Sequence, residues 1–203
     1  MTDAAEAQAS LEAVLREEIV RMYQEVADNP SREFHFFHGR EAAELFGYPA
    51  EWLNRAPRGA VESFAGVGNP HERAALQPGE TVLDLGSGAG LDAIIASWSV
   101  GPAGTVVGVD LNPTMCLKAR SHAAAGGASM ECREGRMEDL PLEDGSVDVV
   151  ISNGVINLSF RKRRVMQEVF RVLKPGGRIS ITDIVSGKKL SQTIVNDPKL
   201  WAS

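Results

Sequence analysis

The residues whose types and spacing could do chemistry lie in one run, Asp84-Leu85-Gly86-Ser87-Gly88-Ala89-Gly90, followed by a helical stretch from Leu91. Glycines there let the backbone turn sharply and let a ligand approach closer than a Cβ permits, and the next helix presents free N–H groups. A nucleotide-like ligand suits such a turn. A glycine-rich turn can also be purely structural, so its neighbours decide. About twenty residues beyond Gly90, Asp110 ends an apolar run, where a Rossmann fold places the carboxylate that accepts from ribose hydroxyls. The last glycine of a dinucleotide fingerprint would fall at position 91, which is Leu91. Gly-x-Gly-x-Gly after Asp84 therefore suits a ligand without pyrophosphate, held by ribose and amino-acid parts.

Other candidates are weaker. His35, His38 and His71 are general bases by type, but a histidine in a Phe-rich stretch is more often packed or hydrogen-bonded, and Tyr23 and Tyr48 read equally well as packing residues. Cys116 and Cys132 have neither metal nor disulfide spacing and read as buried reduced thiols. No metal site is expected.

These residues need a scaffold. From Gln77-Pro78-Gly79-Glu80 onward, short β-branched runs alternate with helical segments, the pattern of βαβ units. Strands are expected over Thr81–Leu85, Thr105–Asp110, Ser129–Arg133, Val147–Ser152 and Arg178–Ile184. Helices are expected near Leu91–Trp98, Pro113–Ala125 and Arg161–Leu173, the last stopped by Lys174-Pro175-Gly176-Gly177. The fold class is α/β, a Rossmann-like, doubly wound, mainly parallel sheet. Residues 1–77 form a helical cap and lid: an amphipathic helix over Ala4–Asp28, short helices over Glu41–Phe46 and Ala50–Leu53, and loop over Ala56–Pro70. Residues 78–203 form the ligand-binding part, and the two make one folding unit.

With 203 residues, the chain can bury a core. Lys and Arg number 21 against 27 Asp and Glu, a formal net charge of −6, which argues against nucleic acid and anionic membranes as partners. The cluster Arg161-Lys162-Arg163-Arg164 reads as the solvated start of a helix. No apolar run spans a bilayer and no secretory signal is evident, so a cytoplasmic protein is expected.

Over Pro78–Val185 the chain resembles the class I S-adenosylmethionine-dependent methyltransferases, in the branch of arsenite methyltransferases and ubiquinone-pathway C-methyltransferases. The motifs are Val82 to Gly90, Gly108-Val109-Asp110, Glu138-Asp139-Leu140-Pro141, Asp148 to Asn153, and Leu173-Lys174-Pro175-Gly176-Gly177. The resemblance implies S-adenosyl-L-methionine as cofactor and a small-molecule acceptor. It implies that Asp84, Gly86, Gly88 and Gly90 hold the methionine part, Asp110 the ribose, and Met137 and Glu138 the adenine. Asn153 would face the cofactor from its strand end, and Ser87 and Leu111 complete the binding set.

In arsenite methyltransferases two further segments carry arsenic-binding thiols, and here they read Phe64-Ala65-Gly66-Val67-Gly68-Asn69-Pro70 and Ser152-Asn153-Gly154-Val155-Ile156-Asn157-Leu158. Val67 and Gly154 stand where cysteines would be, and a third family cysteine would follow Trp201-Ala202. Phe34, Phe36, Phe37 and Phe64 are expected to close over the cofactor and shape an apolar acceptor pocket. By the same resemblance the family's last helix and antiparallel hairpin would be missing, leaving the fifth strand as an edge that a homodimer could cover. A second reading follows, a catalytically silent cofactor-binding protein acting through dimerisation.

Overall fold

A computed structural model describes residues 2–29, 32 and 36–188. Strands β1 (Thr81–Leu85), β2 (Thr105–Asp110), β3 (Glu131–Glu134), β4 (Val147–Asn153) and β5 (Leu173–Thr182) form one sheet, in the order β3-β2-β1-β4-β5, with every neighbouring pair parallel. This is the Rossmann-like arrangement expected. The order reverses between β1 and β4, where loops leaving the two strand ends diverge and open a crevice.

Strands β1 and β4 read as near-continuous apolar runs because both sheet faces are covered. On one face, α8 (Lys162–Val172) packs Val165, Val169 and Val172 against Leu83, Leu85 and Val150. On the other lies α6 (Leu91–Val100), apolar nearly all round because it is sandwiched. Its Ala93, Ala96 and Val100 meet the sheet. Its Leu91, Ile94 and Ile95 meet the N-terminal helices α2 (Gly39–Leu45), α3 (Ala50–Arg55) and α4 (Arg58–Glu62). The core is therefore continuous across residue 77, and each of those three apolar side chains gains about 1.5–3 kcal/mol from burial.

Helix α7 (Pro113–Ala125) joins β2 to β3. Asn112 caps it, accepting from the Thr114 and Met115 N–H groups, with Pro113 in the first turn where its missing N–H costs nothing. Cys116 and Cys132 are free and buried, packed together between α7 and β3.

Several expectations need correction. Ala56–Pro70 is not all loop, since α4 starts directly after Pro57, whose fixed φ suits a helix start. A further turn, α5, covers His71–Ala74. Strand β3 begins at Glu131, two residues later than expected. Strand β5 begins at Leu173, directly after α8, and ends at Thr182. The Lys174-to-Gly177 stop signal bulges out where the register shifts between Val147 and Val149, with Gly176 at φ +83°. The basic cluster is not merely solvated. Arg161 pairs with Glu12, Lys162 donates to the Asn157 and Ser159 carbonyls, and Arg164 pairs with Glu168.

Candidate functional site

The turn after β1 is folded back onto β2. The Gly86 and Ser87 N–H groups both donate to the Val109 carbonyl, at 2.8 and 3.1 Å, and the Gly88 N–H donates to Asp110 Oδ2 at 2.8 Å. The other Asp110 oxygen accepts from the Asn112 N–H, also at 2.8 Å. One carboxylate thus fixes the glycine turn to the loop that opens α7. The three glycines do different jobs. A Cβ on Gly86 would meet Val155 Cγ1 at 2.5 Å and one on Gly90 would meet Ala119 Cβ at 3.0 Å, whereas one on Gly88 meets nothing within 4 Å. Gly86 and Gly90 let protein pack against the turn, and Gly88 leaves room for something else.

That room is a cavity of about 150 Å³ at the C-terminal ends of β1, β2 and β4. Gly86, Ser87, Gly88, Asp110 and Leu111 line one side, with Met137 and Glu138 beyond them and Asn153 at the far end. Asp84 and Gly90 are not in its wall. Asp84 is buried beneath the turn. Desolvation and then repulsion from Asp92 push its carboxyl well above the usual range, and its Oδ2 has no hydrogen-bond partner. Burial also raises the Asp110 carboxyl, against the pull of its backbone donors. Glu138 accepts from Ser159 Oγ at 2.6 Å.

Asn153 lines the cavity and also holds the chain beside it. Its Oδ1 accepts from the Val67 N–H (2.8 Å), the Gly68 N–H (3.2 Å) and Thr182 Oγ1 (2.8 Å), and its Nδ2 donates to the Gly68 carbonyl at 2.8 Å. It is the clamp that holds the 66–68 loop, and Gly66 is a glycine because a Cβ would lie 2.3 Å from Asn153 Nδ2. Asp92 stands beside it. Tyr48 Oη donates to Asp92 Oδ1 at 2.5 Å, His71 Nε2 lies 3.0 Å from the same oxygen, and Asn153 Nδ2 reaches Oδ2 at 3.2 Å. Burial, with Asp92 adjacent, pushes the Tyr48 phenol well above its ordinary value. His71 thus backs a cavity-wall carboxylate without entering the cavity. His38 lies near the Phe36 carbonyl at 3.4 Å, and His122 Nδ1 donates to Ala89 O at 2.9 Å, bracing the glycine turn.

No described residue of the Phe-rich segment lines the cavity. Phe34 and His35 lie outside the described residues, Phe37 is 70% exposed, and Phe36 packs with Tyr23 beside the cavity. Phe64 does line it, as expected. The cover is helix α1 (Thr2–Asp28), through Arg16, Ile19, Val20 and Tyr23, one face at i, i+3, i+4 and i+7. Three polar latches fix α1: Arg161 to Glu12, Asn112 Nδ2 to the Val20 carbonyl at 3.3 Å, and Lys118 Nζ to the Ala27 carbonyl. Burial near Asp110 and Asp183 pushes the Tyr23 phenol up to about 12. Periodicity identified this helix, but an apolar face looks the same whether it covers a core or a ligand.

Asp92, Asp110 and Glu138 line the cavity together with Arg16 and Arg136, so its wall carries charge of both signs with one more carboxylate than guanidinium and suits a ligand that itself carries both charges. S-adenosylmethionine, with a sulfonium, an ammonium and a carboxylate, meets that requirement, and the open space over Gly88 meets the need for close backbone approach.

Residues 76–203 match the methyltransferase domain family, to which the chain belongs. Among curated proteins it is 46% identical over 157 residues to the arsenite methyltransferase of Halobacterium salinarum, covering 77% of this chain and 40% of that protein. It is 40% identical over 135 residues to the arsenite methyltransferase of Aquipseudomonas alcaligenes, covering 63% of this chain and 39% of that one. An arsenic (III) S-adenosylmethionine methyltransferase of known structure from Chlamydomonas reinhardtii superposes with a TM-score of 0.62 at 38% identity, covering 81% of this chain and 55% of that one. The chain spans about two fifths of the length of the curated relatives named here. Val67 and Gly154 do face each other, since a Cβ on Gly154 would lie 3.2 Å from Val67 Cγ1.

Proposed function

We propose that this chain is an S-adenosylmethionine-dependent methyltransferase acting on a small-molecule acceptor. The observation that carries this is the Asp110 carboxylate, tied to the Gly88 N–H at the edge of a cavity at the sheet's switch point. When bound, the sulfonium of the donor supplies an activated methyl group. The chain's part is to hold the donor and shape its surroundings. Asp110 has the lone pairs to take the ribose hydroxyls, Met137 and Glu138 border the space beyond for the adenine, and Gly88 admits the backbone's close approach. Helix α1 excludes water, which strengthens the field of the charged groups in the wall and disfavours hydrolysis. Methyl transfer demands near-collinear alignment, and the Asn153 clamp fixes the 66–68 loop on the acceptor side.

No side chain is assigned as base, because a soft sulfur, selenium or arsenic acceptor needs none. Val67 and Gly154 lie side by side between the wall residues Gly66, Asn153 and Val155, so the place where the resemblance would put thiols is aliphatic. This favours a small apolar or soft-atom metabolite ahead of arsenite. The reading keeps the protein cytoplasmic and independent of nucleic acid and membrane, in line with a net charge of −6; no described helix is long and apolar enough to cross a membrane. A homodimer of the kind the second reading requires would pair through β5, one of the two edges of the described sheet, and a monomer by sedimentation at all concentrations removes that part. The test of activity is transfer of labelled methyl from S-adenosylmethionine to a panel of small thiols, selenols and arsenite. Transfer to any of them supports the reading. A folded, donor-binding chain that labels none favours the catalytically silent alternative.

A further inference from the structure

Ser63 closes helix α4 and lies in the cavity wall, 5% exposed, yet its Oγ has no hydrogen-bond partner. An unpartnered buried hydroxyl destabilises the fold that holds it, so its presence calls for an explanation. Its wall neighbours Ala60, Phe64 and Leu91 are apolar and offer it nothing. Of the other unpartnered buried side-chain atoms among the described residues, Asp84 Oδ2 lies beneath the turn, Ser87 Oγ points toward Gly108 on the sheet side of the turn, Arg136 Nε belongs to the wall next to Met137 and Glu138, and Trp98 Nε1 and Asn157 Oδ1 belong to residues outside the wall.

Position narrows the ligand group. With ribose at Asp110 and adenine toward Met137 and Glu138, an extended donor brings its amino-acid end to the opposite side, where Ser63, Gly66, Leu91 and Asp92 lie. That end is a zwitterion. Its ammonium is drawn to the Asp92 carboxylate, so its carboxylate needs a donor of its own. Helix α6 opens there with Gly90 as its cap, which supplies no side-chain hydrogen bond to the first turn. The Ser63 hydroxyl is the orphaned donor on that side.

We propose that Ser63 Oγ donates a hydrogen bond to the α-carboxylate of the methyl donor, an assignment that rests on the donor reading above. Ser63 then sets which donors bind, favouring those with an intact amino-acid carboxylate, and the cavity keeps an unsatisfied hydroxyl for that purpose. The fold and the ligand make opposite demands on this residue, which separates the proposal from a structural role.

The experiment is calorimetric titration of S-adenosylmethionine and of its decarboxylated form into wild type, Ser63→Ala and Ser63→Thr, with melting curves of each protein alone. Ser63→Ala is expected to weaken S-adenosylmethionine about tenfold, leave the decarboxylated form within about twofold, and keep or raise the melting midpoint. Ser63→Thr, which keeps the hydroxyl, is expected to retain most of the affinity. Equal losses for both ligands, or no loss for S-adenosylmethionine, overturn the assignment. So does a lowered melting midpoint with affinity unchanged. Wild type that binds neither ligand overturns the donor reading itself, and with it this assignment, before any variant is compared.

Discussion

At the residue scale, the glycines of one motif divide into two kinds, and variants can tell them apart. Gly88→Ala places a methyl in open space at φ +52°, costing the fold about 1 kcal/mol while intruding on the ligand. Gly90→Ala, at φ +91° and against Ala119, costs about 1–3 kcal/mol of stability without facing the cavity. Donor titration and melting curves should separate them, Gly88→Ala losing affinity and Gly90→Ala mainly stability. Asp84 supplies a pH test. Burial and Asp92 raise its carboxyl, so the folded state holds that proton to higher pH than the unfolded chain. Stability is then lost as pH rises from the unfolded value through the folded one. Asp84→Asn should raise the melting midpoint at pH 8 and gain little near pH 4. The glycine motif and Asp110 were legible because their spacing encodes a local geometry. Ser63, Asp92 and the clamp role of Asn153 were not, because each depends on partners far away in the chain, such as Asn153 with Gly68.

At the element scale, the strands and helices of residues 81–172 fell close to their expected bounds, since period and caps are local signals. The misses came where tertiary contact overrides composition, at α4 and at the bulged entry to β5. Helix α8 is fixed by Glu168, 2% exposed, which accepts from the Leu140 N–H at 2.9 Å and pairs with Arg171 and Arg164. Arg171 holds this carboxyl below its ordinary value. Its contribution is present above the usual glutamate range and is lost as pH falls through the lowered value. Glu168→Ala should cost about 3 kcal/mol in a urea titration at neutral pH, because it leaves Arg171 and the Leu140 N–H without their shared acceptor, and the deficit should shrink in acid. Helix α1, by contrast, touches the rest, among the described residues, through one face and a few polar latches. Removing residues 1–28 should leave a cooperatively folding protein whose donor affinity falls at least about tenfold, read by melting and titration.

At the scale of the whole molecule, cap and sheet share one core through Leu91, Ile94 and Ile95. A chain cut before Pro70 should therefore fail to fold cooperatively, whereas one lacking only α1 should not. The cavity, its α1 roof and the Asp110 tie amount to a single claim, that this fold binds a sulfonium nucleoside. The most direct test is calorimetric titration of S-adenosylmethionine into the full chain, with Asp110→Ala beside it. The account predicts one site of micromolar affinity, weakened at least about a hundredfold in the variant, which loses two charge-assisted hydrogen bonds to the ribose. A folded wild type that gives no binding heat across temperatures, and whose melting midpoint the ligand does not raise, would contradict it.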